Sequence, residues 1–166
     1  YTTLFRSASK AIFQTYEIEG GQEIVQDINV ADKKQQPYSV LSRVMAYDGN
    51  GRCINLTSHV RKDKLEWKAP AGKWKVIALY NGKTRQKVKR AAPGGEGYVM
   101  NHLSKSAVKS YLSRFDRAFK SSKTSYPHTF FNDSYEVYQA DWTEDFLDQF
   151  ARRRGYKLEE HFPEFL

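Results

Sequence analysis

Over residues 16–80, polar and apolar residues alternate with a period of two, in runs broken by turn-forming residues. The runs predict strands over residues 16–19, 23–30, 38–47, 52–56, 65–68 and 73–80. Between them, Gly20-Gly21, Asp48-Gly49-Asn50-Gly51 and Ala69-Pro70-Ala71-Gly72 supply the positive or fixed φ that tight connections require, so an antiparallel meander or small sandwich is expected. Val76-Ile77-Ala78-Leu79-Tyr80 is nearly continuous in apolar character and reads as a buried strand.

After Gly97 the period lengthens to that of a helix. Ala107, Val108, Tyr111, Leu112, Phe115, Ala118 and Phe119 recur at helical spacing behind the N-cap candidate Ser104, while Lys105, Lys109, Ser113, Arg117 and Lys120 hold the opposite face. One buried stripe is expected. A loop through Tyr126-Pro127 leads to a strand over residues 128–133, and a second helix is expected from Thr143, with Phe146, Leu147, Phe150 and Ala151 on one side. Glu144 and Asp145 in its first turn, Arg152 to Arg154 in its last and Gly155 at C′ agree about both ends.

Composition narrows the class. With 166 residues, 40% hydrophobic and 14% aromatic, the chain belongs with globular sequences and can build one ordinary core. The lone Cys53 excludes an internal disulfide, and the four histidines have no zinc-site spacing. Neither a membrane span nor a signal peptide is visible. The net charge of +8 is densest over residues 83–90 (KTRQKVKR), but no nucleic-acid motif or aromatic platform accompanies it, so nucleic acid is not expected as a partner. Residues 1–7 match the in-frame translation of a common sequencing-adapter end and read as an artefact, and the apolar ending Phe162-Pro163-Glu164-Phe165-Leu166 reads as a truncation. The expected organisation is therefore an artefact over 1–7, a β-rich insertion or accessory segment over 8–82, and part of a catalytic region over 83–166.

The candidate chemistry gathers at Phe130-Phe131-Asn132-Asp133-Ser134-Tyr135-Glu136, where strand formers run into small polar and acidic residues and a helix follows. A βα unit presents carboxylates at a strand end in this way. Sugar cleavage draws on such carboxylates, one to protonate the leaving oxygen and another to activate water or attack. Asn132 and Asp133 suit sugar hydroxyls, and equally suit strand-end turn chemistry. Glu96, in Gly94-Gly95-Glu96-Gly97, reads as a sugar or calcium ligand or as a solvent-facing turn carboxylate; no Gly-Lys-Ser/Thr follows, so the loop is not a phosphate cradle. Ser134 lacks a Gly-x-Ser-x-Gly context and reads as a structural hydroxyl. Trp142 offers a stacking face for a sugar, against packing onto Leu147 as a hydrophobic staple.

Taken together, the stretch Ala91-Ala92-Pro93-Gly94-Gly95-Glu96-Gly97, the helix after it, Asn132-Asp133-Ser134-Tyr135-Glu136-Val137-Tyr138, Asp141-Trp142-Thr143 and Arg153-Arg154-Gly155-Tyr156 resemble glycoside hydrolase family 106, the α-L-rhamnosidase-like enzymes. The resemblance extends over residues 67–166. It implies an α+β chain whose antiparallel β-rich first half is followed by βα units of a partial (β/α)8 barrel, within a much longer polysaccharide-degrading enzyme. For that enzyme it implies inverting hydrolysis of terminal α-L-rhamnosides, a carbohydrate substrate, a calcium ion near the sugar and a periplasmic or secreted location. Carried onto this sequence, it implies Glu136 as general acid, with Asn132, Asp133 and Glu96 binding substrate around the end of a strand over 130–133, and a second carboxylate beyond Leu166. The chain by itself would then not turn over substrate. One position departs: the family often has an acid before the first helix, where this chain has Asn101, which bears on calcium and on activity. Two competing readings remain, a non-catalytic carbohydrate-binding or accessory module, suggested by the strands and 11 tyrosines, and a catalytically degenerate homologue, suggested by Asn101. The change to helical order after Gly97 argues against a binding sandwich.

Overall fold

The alternating stretch forms the strands β1 (Ser9–Glu19), β2 (Glu23–Asp27), β3 (Val40–Asp48), β4 (Cys53–Asn55), β5 (Val60–Arg61), β6 (Lys64–Lys68) and β7 (Lys73–Lys83). Every stretch expected as a strand in this region contains one, and β1 begins earlier than the pattern suggested. Strand β5 has two residues, too few for alternation to register. The protein is described from a computed structural model over residues 7–131 and 136–166. It divides into two units, one of residues 11–82 with 144–166, the other of residues 1–10 with 83–143.

In the first of these, the strands form a four-stranded sheet of order β1-β7-β3-β4 and a three-stranded sheet of order β2-β6-β5. Strand β3 runs antiparallel to β7 and β4, and β6 runs antiparallel to β2 and β5. The register pairs Val44 with Ala78 and Ala46 with Val76, which sets these side chains on one face of the larger sheet. They share a core with Leu65 and Trp67 of β6, Trp74 and Tyr80 of β7, and Ile18 of β1. The sheets therefore close on each other as a small sandwich. The rings of Trp67 and Trp74 meet edge to face at 5.1 Å, and the Trp74 indole N–H donates to the Pro70 carbonyl at 2.9 Å, so its polar edge is satisfied.

The other face of the larger sheet is also covered. Met45, Tyr47, Ile77 and Leu79, of opposite parity to the core residues, are buried. The C-terminal segment supplies α2 (Phe146–Arg154), a 3-10 turn (Leu158–His161) and α3 (Phe162–Phe165). Phe162 is buried and meets the Phe13 ring edge-on at 5.3 Å. The Tyr47 hydroxyl donates to the Glu159 carbonyl, and burial holds that phenol far above its ordinary titration range, so it stays a donor. Helix α2 starts at Phe146 rather than Thr143, but its other end is as the sequence suggests: Gly155 is left-handed at φ 80° and its N–H donates to the Ala151 carbonyl at 2.9 Å.

The two turns beside β1 and β7 constrain each other. The Gly20 N–H donates to the Gly72 carbonyl at 2.7 Å and the Gly21 N–H to the Ala69 carbonyl at 2.9 Å. A Cβ on Gly20 would stand 1.8 Å from the Pro70 carbonyl oxygen, so only glycine fits.

The second unit contains α1 (Lys105–Ser122), started by Ser104, whose side chain accepts from the Ala107 N–H at 3.4 Å. No α1 residue is fully buried, and Tyr111, Leu112 and Phe115 are exposed, so the apolar stripe read from the sequence is only partly covered. Ahead of the helix, a small polar knot is buried. The Ser9 hydroxyl accepts from the Lys83 ammonium at 2.9 Å and from the Asn101 amide at 3.2 Å, while the Asn101 side-chain oxygen accepts from the Leu103 N–H at 3.1 Å. Asn101, 5% exposed, thus uses both ends of its amide to fix the approach to α1. Of the adapter-like stretch, only Ser7 lies within the described residues. It is buried, pairs with Met100, and its hydroxyl accepts from the Arg85 N–H at 2.8 Å, so at this position the sequence expectation of a loose end does not hold.

Among the described residues the expected βα units of a partial (β/α)8 barrel are not found. The pairings of β3 with β7 and β4 and of β6 with β2 and β5 are antiparallel, and the described part of the expected strand over 128–133, residues 128–131, is not strand. Phe130 and Phe131 are 76% and 90% exposed. The physical reason is that strand propensity reflects packing on neighbouring strands, and no described strand pairs with this segment.

Two outcomes are expected from this architecture. Gly20→Ala should lower unfolding stability by about 1–3 kcal/mol, because backbone must move to admit the methyl group, whereas Gly49→Ala, with nothing within 4 Å of the added carbon, should be close to neutral in the same urea titration. Asn101→Ala should cost about 1–3 kcal/mol by stranding buried polar partners. Asn101→Asp should be better tolerated, since its oxygen still accepts from Leu103 and the Ser9 hydroxyl can turn to donate; thermal denaturation of both variants checks the order.

Candidate functional site

Glu96 and Glu136 lie in the unit built around α1. Its site begins with a short antiparallel ladder. Lys87 bridges Tyr98, the Val88 N–H donates to the Gly97 carbonyl at 2.9 Å, and the Val99 N–H donates to the Gln86 carbonyl at 2.9 Å. The ladder closes a loop over residues 89–96 whose tip is tightened by the Gly95 N–H donating to the Ala92 carbonyl at 2.8 Å, with Gly94 left-handed at φ 79°. Glu96 sits exposed where this loop returns to the ladder.

Glu136 is exposed too, and its backbone is fixed from the same ladder. The Gln86 side-chain amide donates to the Glu136 carbonyl at 2.6 Å, and the Gln86 side-chain oxygen accepts from the Tyr138 N–H at 2.7 Å. One carboxamide therefore holds the peptide groups on both sides of Val137. The Lys89 ammonium lies 5.8 Å from the centre of the Tyr138 ring, a second link between loop and segment. This fastening brings the backbone of Glu136 to the base of the loop that carries Glu96. Asn132 and Asp133, the other candidate substrate ligands, lie outside the described residues, as does Ser134. The strand end around which these groups were expected to converge is replaced, at residues 128–131, by non-strand chain.

Trp142 is 3% exposed and its backbone bridges Ser9, so it packs and offers no face to a sugar. Among the described residues no three His, Cys, Asp or Glu side chains are grouped as a metal site. No described helix is long and apolar enough to cross a membrane. Cys53 is no nucleophile candidate: burial, then the carboxylates of Glu160, Glu159 and Glu164, push its thiol up and away from the reactive thiolate. Gln86 carries no sequence signal of its role, because a glutamine within a basic run resembles any solvated surface residue and its partners are main-chain groups.

Comparison with known proteins bears on the whole length. The profile of glycoside hydrolase family 106, described as alpha-L-rhamnosidase, matches residues 5–166. A curated protein of Formosa agariphila named "Putative beta-glucuronidase" is 35% identical over 115 residues, which is 66% of this chain and 10% of that protein. This chain thus aligns with about a tenth of the relative's length. No solved structure matches. The family match takes in the β-rich half as well as the ladder, the loop and Glu136, and the chain belongs to glycoside hydrolase family 106.

Proposed function

We propose that this chain contributes a catalytic carboxyl to a glycoside hydrolase that cleaves terminal α-L-rhamnosides with inversion, with Glu136 as the general acid. The observation that supports it most is the joining of family membership over residues 5–166 with a Glu136 that is exposed yet held through its backbone by Gln86. A general acid must reach the glycosidic oxygen while its main chain stays still, and a carboxyl anchored only at its root meets both needs. Glu136 donates its proton to the departing oxygen as the bond to the anomeric carbon breaks. A second carboxylate, about 6.5–9.5 Å away in inverting enzymes, takes a proton from the water that attacks the opposite face. Glu96 borders the same ladder and is proposed to contact sugar hydroxyls, with Asn132 and Asp133 as further substrate ligands.

A second reading concerns the sugar. The loop beside Glu136 carries exposed Lys89 and Arg90, the ladder at its base carries exposed Lys87, and a uronic acid would bring a carboxylate for them to bind. The relative's name points the same way. A panel of aryl α-L-rhamnosides and aryl glucuronides separates the two.

The acid assignment is tested in the full-length protein that carries this chain. Glu136→Gln keeps the shape of the side chain but removes the transferable proton, and kcat/KM on an unactivated glycoside should fall by about 10²–10⁴. Aryl substrates with acidic leaving groups need less protonation and should lose far less. Turnover of the unactivated substrate at the wild-type rate would remove Glu136 from this role. The 166-residue chain alone is expected to be inactive on either substrate.

A further inference from the structure

We propose that Gln86 is a positioning residue for Glu136, its carboxamide setting where the acid stands; this rests on the reading of Glu136 as general acid. Both polar ends of the amide are committed to one short stretch of main chain, the nitrogen to the Glu136 carbonyl at 2.6 Å and the oxygen to the Tyr138 N–H at 2.7 Å. The arrangement copies what a neighbouring strand does: it offers one donor and one acceptor to the two groups that flank a residue of an extended chain. A side chain takes the strand's place here because the described residues supply no strand beside this segment.

The root of Gln86 is itself fixed. Its carbonyl accepts from the Val99 N–H at 2.9 Å, and the preceding residue, Arg85, is tied through its N–H to the buried Ser7 hydroxyl at 2.8 Å. Backbone conformation marks the same place. Arg85 at φ 57° and Gln139 at φ 56° are left-handed although neither is glycine. One stands directly before the clamping residue and the other directly after the clamped segment, a conformation that residues carrying a Cβ adopt at a steric cost. Local strain of this kind persists where the surroundings hold it.

The chemistry admits few substitutes. Glutamate at neutral pH accepts but cannot donate, lysine donates but cannot accept, and asparagine is one methylene shorter. The clamp touches only the backbone of Glu136, so its carboxyl is left for the substrate while its Cα is fixed. A displacement of about 1 Å at a reacting group can cost about 10²-fold in rate.

The test uses the full-length protein and two kinds of readout. Hydrogen exchange at the Tyr138 amide reports the clamp directly, without substrate: Gln86→Ala should speed it by at least about tenfold, the loss of one protecting bond. Kinetically, Gln86→Ala should lower kcat more than it raises KM, with a loss of about 10–100-fold on an unactivated glycoside and a much smaller one on aryl substrates with acidic leaving groups. Gln86→Glu adds a pH signature. Toward and below about pH 4.3 its carboxyl gains a proton and again has one donor and one acceptor, so its activity relative to wild type should recover as pH falls, while that of Gln86→Ala should not. Unchanged exchange at Tyr138, or a loss equal for all leaving groups, would overturn the proposal. If Glu136→Gln keeps full activity, the acid reading fails and the positioning role with it, whereas loss in Glu136→Gln beside full activity in Gln86→Ala overturns the positioning role alone.

Discussion

Strand β7 is buried on both faces, and the unit around it depends on that double burial. Its inward residues Trp74, Val76, Ala78 and Tyr80 join the sandwich core, while Ile77 and Leu79 are buried on the other side of the same sheet. A strand packed on both sides cannot alternate polar with apolar, which is why this run is nearly continuous in apolar residues. Its neighbours inherit their positions from it. Strand β3 is registered against β7 over most of its length, β1 lies along the opposite edge, and the turns at Gly20 and Gly72 are bonded to each other.

The fold was legible where burial is one-sided and regular. Alternation at Leu65 and Trp67 marks residues that do face one core, and the turns after β1, β3 and β6 fall at the glycine-containing positions. The end of α2 was legible because the left-handed Gly155 leaves a mark that few other residues can. Residues 128–131 depart from their local pattern. Two adjacent phenylalanines have high strand propensity, but propensity stands for packing that neighbours must provide, and these side chains are exposed. A barrel inferred from resemblance likewise needs parallel neighbours that no local pattern can certify. The N-terminal extent of β1 was hidden for a simpler reason, since a stretch read as an artefact adjoined it while Ser7 and Ser9 are buried.

The candidate site divides in the same way. Glu136 and Glu96 could be named because carboxylates beside glycines and strand formers have a recognisable chemistry, and the family profile spans both. Asn101 was named for its departure from an acid, yet its amide is absorbed in bonds to Ser9 and Leu103 that prepare α1. Trp142 shows that an aromatic near a site need not be part of it, being buried. Gln86 could not be found by residue type, because recognition of main chain by an amide has no spacing rule.

The clamp that Gln86 places on the Glu136 backbone is built from uncharged groups: a carboxamide, a carbonyl and a peptide N–H. An ion pair in the same place would weaken as salt screens it and would change when either partner took up or lost a proton. An amide-to-backbone fastening does neither. The Glu136 carboxyl can therefore change its protonation, and the ionic strength can vary widely, while the frame that holds its backbone stays the same.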